Sequence, residues 1–433
     1  MTALLFKNAL DTPFLFDDRD LVLLNTSLVN PWDVWGVLTW NVARPVLNLS
    51  FAVDRIVWGL SSFGYHATNG GLHIVGVGLF YGWCTRALTD ESSRARHLGT
   101  LWPEWPAFFA TCVFAFHPVM ASTVVYVSAR SEILCAIALL LTLTFARRAI
   151  VASNRVSAAL ALACGALALG SSSSAAGVPL IVLAYDAWVL RDGGWIRRWW
   201  RVYLPSLVVV LVAGMWMASA LLVQDRVPPH GLFSHVLGEA TVAWRYIGLL
   251  LLPRGQSLVH EVAWPAATSL RGLSALLLLA GCVAVAVSVR RSYPLVAFGL
   301  VWFVLALVPT SLIPVRDAMV EKRVYVAAAG LLLAAGSTLA EPLARRRSAR
   351  AVATVAVVAL LVMTYKRNEH YASAMDVWAE AVQRAPNAWQ AHLGYGDLLR
   401  EIQRCDSAKA EYAQVLRLYP GQPDATVGFA ACK

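Results

Sequence analysis

Residues 298–311 read Phe-Gly-Leu-Val-Trp-Phe-Val-Leu-Ala-Leu-Val-Pro-Thr-Ser, a stretch without a single charge inside an apolar run over 293–313. A run of that length approaches the roughly 20 apolar residues that cross a bilayer. It has companions at 66–86, 105–126, 131–147, 156–170, 175–190, 202–223, 236–252, 271–289, 324–343 and 350–365. The chain as a whole is 58% hydrophobic and 14% charged, with mean hydropathy +0.59. A soluble chain carries about 25% charge. The sequence therefore predicts an all-α, polytopic membrane helix bundle of about ten spans. The runs 156–170 and 175–190 are joined only through Ser171-Ser172-Ser173-Ser174, so they form a tight hairpin or one broken helix.

The net charge of +10 does not require nucleic acid as a partner. The basic residues cluster in short loops: Arg86/Arg94/Arg96, Arg147/Arg148/Arg155, Arg191/Arg197/Arg198/Arg201, Arg290/Arg291 and Arg345/Arg346/Arg347/Arg350. Such loops stay cytoplasmic. All five lie inside only if 236–252 does not cross, and Glu239 and Arg245 in the middle of that run suit a re-entrant or interfacial helix. The loops 11–65, 224–270 and 314–323 and the tail after 366 then fall outside. Arg outnumbers Lys 31 to 5, which points to a GC-rich, bacterial genome and hence to the inner membrane. Residues 1–10 are too short and polar to span, so the expectation is that a first helix is missing and that the start is placed too late.

Seven cysteines are scattered without CxxC or zinc spacing. Five fall in or beside apolar runs and read as small buried hydrophobes. Cys405 and Cys432 sit in the polar tail and can pair in an oxidising compartment. In that tail Ala374, Trp378, Ala381 and Pro386 recur 34 residues later as Ala408, Tyr412, Val415 and Pro420. Small, aromatic, small and Pro at this period are the tetratricopeptide-repeat signature. Gly396 and Leu399 supply the small and large residues of an intervening helix, so one full repeat covers about 389–422 with partial units on either side. So short an array is marginal alone and is expected to dock on the membrane domain or on a protein partner.

The chemistry-bearing residues gather at the mouths of the apolar runs. Phe16-Asp17-Asp18-Arg19-Asp20 places carboxylates beside a lipid-facing bundle, where partial dehydration is costly and function is the common reason for accepting it. A solvated turn, a metal site, an acid/base site and a cation site are the open readings. Arg44-Pro45 follows, then His66, Asn69 and His73 at i, i+3 and i+7 on one helical face. Their plainer use is polar bonding between helices. His117-Pro118 precedes Ser128-Ala129-Arg130-Ser131-Glu132, where Arg130 and Glu132 suit either a capped helix start or a phosphate. Glu321-Lys322-Arg323-Val324-Tyr325 offers cations that either snorkel at the interface or meet a lipid phosphate.

In this order the motifs resemble a known family. FDDRD, RP, the His66/Asn69/His73 face, HP with SARSE, Pro179 to Asp186, RYIGLLLLP from Arg245 to Pro253, Phe298 to Ser311, EKRVY and the 34-residue tail look like the transmembrane and tetratricopeptide-repeat O-mannosyltransferases and their bacterial relatives. The resemblance implies a GT-C glycosyltransferase fold and transfer of a sugar, such as mannose, from a polyprenyl-phosphate donor to an acceptor hydroxyl on protein or glycan outside the cytoplasm. It implies Asp17 or Asp18 as general base or as carboxylate for a divalent metal. It implies that Arg44, His66, Asn69, His117, Arg130, Glu132, Arg245, Glu321, Arg323 and Tyr325 bind substrate, with Arg130, Glu132, Arg245, Glu321 and Arg323 around the donor phosphate. Three segments follow: an acidic interface segment 1–65, a transmembrane domain 66–366 and the repeat tail 367–433. Where the family carries Ser-Lys-Glu, this chain has Ser171-Ser172-Ser173. That departure, with the missing first helix, motivates an alternative function as an inactive membrane-anchored scaffold for protein partners. A transporter is a third reading, disfavoured by the few charges within the spans and the lack of inverted repeats.

Overall fold

The computed structural model describes residues 2–10, 12–15, 17–92, 103–191, 193–222, 231–262, 264–312 and 319–432. Phe16, Arg94, Arg96 and parts of the loops 11–65, 224–270 and 314–323 lie outside them. Among the described residues every regular element is a helix, as the composition predicts. Each of the eleven apolar runs coincides with helical structure, from Ser62–Ser92 to Arg347–Tyr371.

Four of these elements are long and apolar enough to cross a membrane: Val127–Ala152, Ser173–Leu190, Leu270–Val289 and Arg347–Tyr371. A fifth, Glu104–Phe116 with Pro118–Val125, is bent by 56° at His117. Pro118 is the cause, since it cannot donate the backbone hydrogen bond that would continue the helix. Leu270–Val289 and Arg347–Tyr371 expose large apolar side chains, Leu277, Leu278, Val355 and Val358 among them. Exposed leucine and valine in continuous helical rows fit a hydrocarbon solvent. The chain is a membrane protein. The helix Gly231–Leu251, predicted not to cross, is not among those four. It buries Glu239 and turns Arg245 outward.

The bundle centre is built on close helix contact. Pro294–Leu312 packs along Val324–Thr338, and Gly299 and Gly330 face each other there. A Cβ on Gly299 would sit 2.2 Å from Gly330 O, so only glycine permits this approach. Trp83, Tyr185, Phe298 and Trp302 fill the space around that contact.

The N-terminal fifteen residues are not a free arm. Leu5, Phe6 and Leu15 are buried with Phe116, Tyr126 and Tyr371, and Asn368 Nδ2 donates to Leu5 O at 2.9 Å. The acidic segment is thus packed against the bundle on its N-terminal side.

The 34-residue period of the tail appears as the helices Ala374–Arg384, Trp389–Glu401, Cys405–Leu418 and Pro423–Ala431, each packed on the next. Trp378 lies against Gly394, where an added Cβ would come within 2.0 Å of its ring. Tyr412 lies against Gly396 and Gly428 in the same way. Trp378 and Tyr412 thus each fill a notch left by a glycine of the following unit, Gly394 and Gly428, and Tyr412 also meets Gly396 of its own unit. The helices Ser62–Ser92 and Arg347–Tyr371 run through the expected segment boundaries at 65 and 366, so the tail proper begins after Tyr371.

Candidate functional site

Asp17 and Asp18 are adjacent in sequence but opposite in environment. Asp18 is 1% exposed. Its Oδ2 accepts from the backbone N–H groups of Leu15 at 3.2 Å and Val127 at 3.3 Å, and its Oδ1 from Ser128 N–H at 2.7 Å. Burial pushes its carboxyl up to about 7, against the opposing backbone hydrogen bonds from Ser128 and Leu15, with the Asp17 charge adding to the rise. Asp18 therefore staples the acidic segment to the turn at 126–128. Asp17 keeps its side chain 42% exposed and receives Lys322 Nζ at 3.3 Å. Its backbone N–H donates to Tyr126 Oη at 2.9 Å, and the Lys322 ammonium lies 4.9 Å from the Tyr126 ring centre.

These groups line a cavity of about 290 Å³ together with His260, Trp264, Asn387 and Trp389. His260 Nε2 donates to Glu321 Oε1 at 3.0 Å, and Ser257 N–H donates to the same oxygen at 2.8 Å. Glu321 is buried, and its Oε2 has no hydrogen-bond partner. The tail contributes the far wall: Asn387 Nδ2 donates to Glu261 Oε1 at 3.1 Å, and Arg19 pairs with Glu401. An accessible carboxylate, an ammonium, an imidazole and flanking indoles are a set that can take a proton, hold an anion and stack on a sugar ring.

The carboxylates do not fit a metal ion. Both oxygens of Asp18 are occupied by backbone donors and Asp17 faces a cation. Among the described residues, no three His, Cys, Asp or Glu side chains converge on a point where an ion could sit.

Most other sequence-predicted residues are gathered elsewhere. Arg130 is fully buried and committed on every side: Nη2 meets Asp54 Oδ2 at 2.5 Å and Tyr65 O at 3.0 Å, Nε meets Asn69 Oδ1 at 2.6 Å, and Nη1 meets Ser50 Oγ at 3.3 Å. Asn69 in turn donates to Val124 O and Tyr126 O. The pair is a strut behind the acidic segment, not a donor of free hydrogen bonds to phosphate. Glu132 accepts from Ser172 Oγ at 2.7 Å and Ser174 Oγ at 3.1 Å, with Arg44 near enough to act on it electrostatically. Ser172 is one of the positions where the resembled family carries a charged residue, so hydroxyls here hold a carboxylate that a lysine at 172 would pair with.

His66 Nε2 donates to Thr12 O at 2.9 Å. His117 caps the helix after the bend, its Nδ1 accepting from Val119 N–H and its Nε2 donating to Leu250 O. Tyr325 Oη meets His73 Nδ1 at 2.7 Å inside the core. Arg245 is exposed and donates to Glu261 O at 2.7 Å, which ties it to the rim of the cavity. Arg323 is buried near Glu239. Of the twelve predicted residues, Asp17 lines the cavity and Asp18, Glu321 and Arg245 hold its edges. His260 and Tyr126 are cavity neighbours not singled out in the sequence, and Lys322 was offered there only among the cations of 321–325. Lys322 stands between two residues that were singled out, and His260 lies in the apolar-looking run Ser257-Leu-Val-His-Glu261 with no local pattern to mark it.

No family model matches the chain. The protein O-mannosyl-transferase TMTC2 of human is 28% identical over 152 residues, 32% of this chain and 17% of the relative. That of Drosophila melanogaster is 29% identical over 152 residues, 32% of this chain and 15% of the relative. This chain is similar to the TMTC O-mannosyltransferases. The matched part spans at most 17% of those relatives' own length. Among solved structures, ArnT from Cupriavidus metallidurans bound to undecaprenyl phosphate aligns over 99% of this chain and 75% of that one, at 15% identity and a TM-score of 0.45.

Proposed function

We propose that this chain is a membrane glycosyltransferase that moves a sugar, mannose in the first instance, from a polyprenyl-phosphate donor to an acceptor hydroxyl on the extracytoplasmic side. The observation that carries this reading is the half-exposed Asp17 carboxylate beside Lys322 in a cavity at the edge of an apolar bundle. The partial similarity to O-mannosyltransferases supports it. A lipid-borne donor would reach such a cavity from the bilayer, and an acceptor would reach it past the tail.

In the reaction, the acceptor oxygen forms a bond to the anomeric carbon as the bond from that carbon to the phosphate oxygen breaks. The hydroxyl proton passes to Asp17, and the bonding pair leaves with the phosphate. Asp17 is the base because its carboxylate is accessible. Asp18 is a positioning residue, since its oxygens are occupied and its burial fixes the backbone of Asp17. Lys322 neutralises Asp17 at rest and is placed to share its charge with the departing phosphate, a role worth several kcal/mol in sites where water is thinned. Glu321 orients His260 at the cavity rim.

The tail, read as tetratricopeptide repeats, presents Asn387 and Trp389 to the cavity and fits a protein acceptor passing between tail and bundle. The division into an acidic segment, a spanning domain and a repeat tail, with segment and tail both outside a bacterial inner membrane, belongs to the same proposal. The contact of Arg19 with Glu401 supports one side for both.

The test is transfer by the purified full chain in liposomes containing tritiated polyprenyl-phosphate mannose and a membrane-protein extract as acceptor. Label in protein that depends on the chain and on the donor is the expected result. Absence of transfer from mannosyl, glucosyl and galactosyl donors alike, with the chain folded, would overturn it in favour of the scaffold.

A further inference from the structure

A second cavity, of about 350 Å³, lies where the C-terminal end of helix Arg347–Tyr371 meets the loop 253–256 and the first tail helix. Its wall is cationic: Arg254, Lys366, Arg367 and Arg384 line it, with His370. One carboxylate, Glu380, serves three of these. It accepts from Arg367 Nη1 at 2.6 Å, lies 3.0 Å from His370 Nε2 and 2.9 Å from Arg384 Nη2. Four permanent cations against Glu380 and the nearby Glu321 leave a positive excess at the wall.

The donors there are also incompletely used. Gln256, 6% exposed, has its Nε2 buried without a partner. Arg367 has Nε and Nη2 in the same state. Buried donors left unsatisfied are costly, so a wall holding three of them suits an acceptor that brings several oxygens. We propose that this cavity binds a phosphate group, separately from the cavity lined by Asp17. A phosphate supplies charge and three or more acceptor oxygens, which matches guanidinium and amide donors converging from different segments.

The position says where such a group comes from. The helix Arg347–Tyr371 exposes Val355, Val358, Val362 and Tyr365 along its length and carries Lys366 and Arg367 near its C-terminal end. Acyl chains lying on that face would carry a headgroup phosphate to the cavity, whereas a free phosphate would enter from water. The inference does not depend on the transferase reading.

Two probes separate the sources: inorganic phosphate titrated calorimetrically into the full chain in uncharged detergent, and phosphatidylglycerol retained by the chain after nanodisc exchange against phosphatidylcholine, read by native mass spectrometry. The variant is Arg254→Gln with Lys366→Gln, both exposed and outside the ion pairs centred on Glu380. A charge-matched control, Arg404→Gln with Arg417→Gln, removes two cations from the tail surface. Binding of either probe, weakened roughly tenfold in the cavity variant and within about twofold in the control, supports the site. Phosphatidylglycerol alone identifies a headgroup and inorganic phosphate alone a small anion. Binding of neither probe, or equal weakening in both double variants, overturns the proposal.

Discussion

Replacing Asp17 and Asp18 separately with Asn should divide chemistry from architecture. Asp17 is 42% exposed on its side chain and makes one ion pair with Lys322 at 3.3 Å. Pairs of that exposure contribute about 0–1 kcal/mol, so Asp17→Asn should leave the thermal unfolding transition almost unmoved. A base that loses its charge typically forfeits about 10²–10⁴ in rate, so transfer from polyprenyl-phosphate mannose should fall to near background. Asp18→Asn meets three backbone N–H donors on two oxygens. An amide offers only one oxygen, so either Ser128 N–H or the Leu15 and Val127 pair faces an NH₂ group. A buried donor stranded in that way costs about 1–3 kcal/mol, partly offset because the ionised Asp18 is itself costly to bury. Asp18→Asn should therefore unfold at lower temperature, and the transfer that survives should scale with the folded fraction. The assays are tryptophan fluorescence melts and label transfer on the same preparations. Full transfer by folded Asp17→Asn would refute the assignment of the base, and loss of transfer in Asp18→Asn without loss of stability would move the role to Asp18.

Arg130→Ala should be among the most destabilising substitutions in the chain, by about 3–5 kcal/mol, because it leaves the buried Asp54 carboxylate unpaired; failure to purify folded protein, rescued by the double variant with Asp54→Ala, is the check. Ser172→Ala removes the hydroxyl that donates to Glu132 Oε1 and should cost about 1–3 kcal/mol, read as a lower melting temperature at unchanged expression. Gly394→Ala pushes a methyl into the Trp378 ring and should cost about 1–3 kcal/mol by overpacking, read as protease sensitivity of the tail in the full chain. Burial pulls the His392 imidazole down, but the Glu411 carboxylate at 2.6 Å and the Pro386 carbonyl outweigh it and hold it above its ordinary value. The folded form thus binds the proton more tightly than the unfolded chain. The pair contributes fully below about pH 6.5 and fades as pH rises through the elevated value. His392→Gln should abolish that part of the pH dependence of tail protection, and an unchanged pH profile would count against it.

How much of this was legible in the sequence depends on the range of the interaction. Hydropathy is local, and the apolar runs came out as helices at nearly their expected limits. The 34-residue period was legible because Trp378 and Tyr412 repeat a local shape. Even so, its partner Gly394 passed unnoticed, since a lone glycine in a helix reads as a weakness until the ring that fills it is in view. The site was legible only as a neighbourhood. Nothing in Asp17-Asp18 says which carboxylate turns inward, because that is decided by backbone donors at Val127 and Ser128, more than a hundred residues away. Arg130 looked like a phosphate ligand because its partner Asp54 sits in an unremarkable amphipathic helix, Pro45–Trp58.

The same long-range dependence bears on how the proposed site is assembled. Residues 12–18 are held by His66 through Thr12 O, by Tyr126 through Asp17 N–H and by the turn at 126–128 through Asp18. That turn is fixed by Asn69, and Asn69 is fixed by Arg130, which is neutralised by Asp54. A catalytic carboxylate on a loop needs sub-ångström placement to be effective. Here that placement would be supplied by a chain of buried polar contacts reaching into three helices. The polar residues of the first membrane-facing helices would then support Asp17 without touching the donor. Asn69→Ala should accordingly lower transfer through loss of order in residues 12–15, 17 and 18, visible as faster hydrogen exchange there, and not through weaker binding of a polyprenyl phosphate.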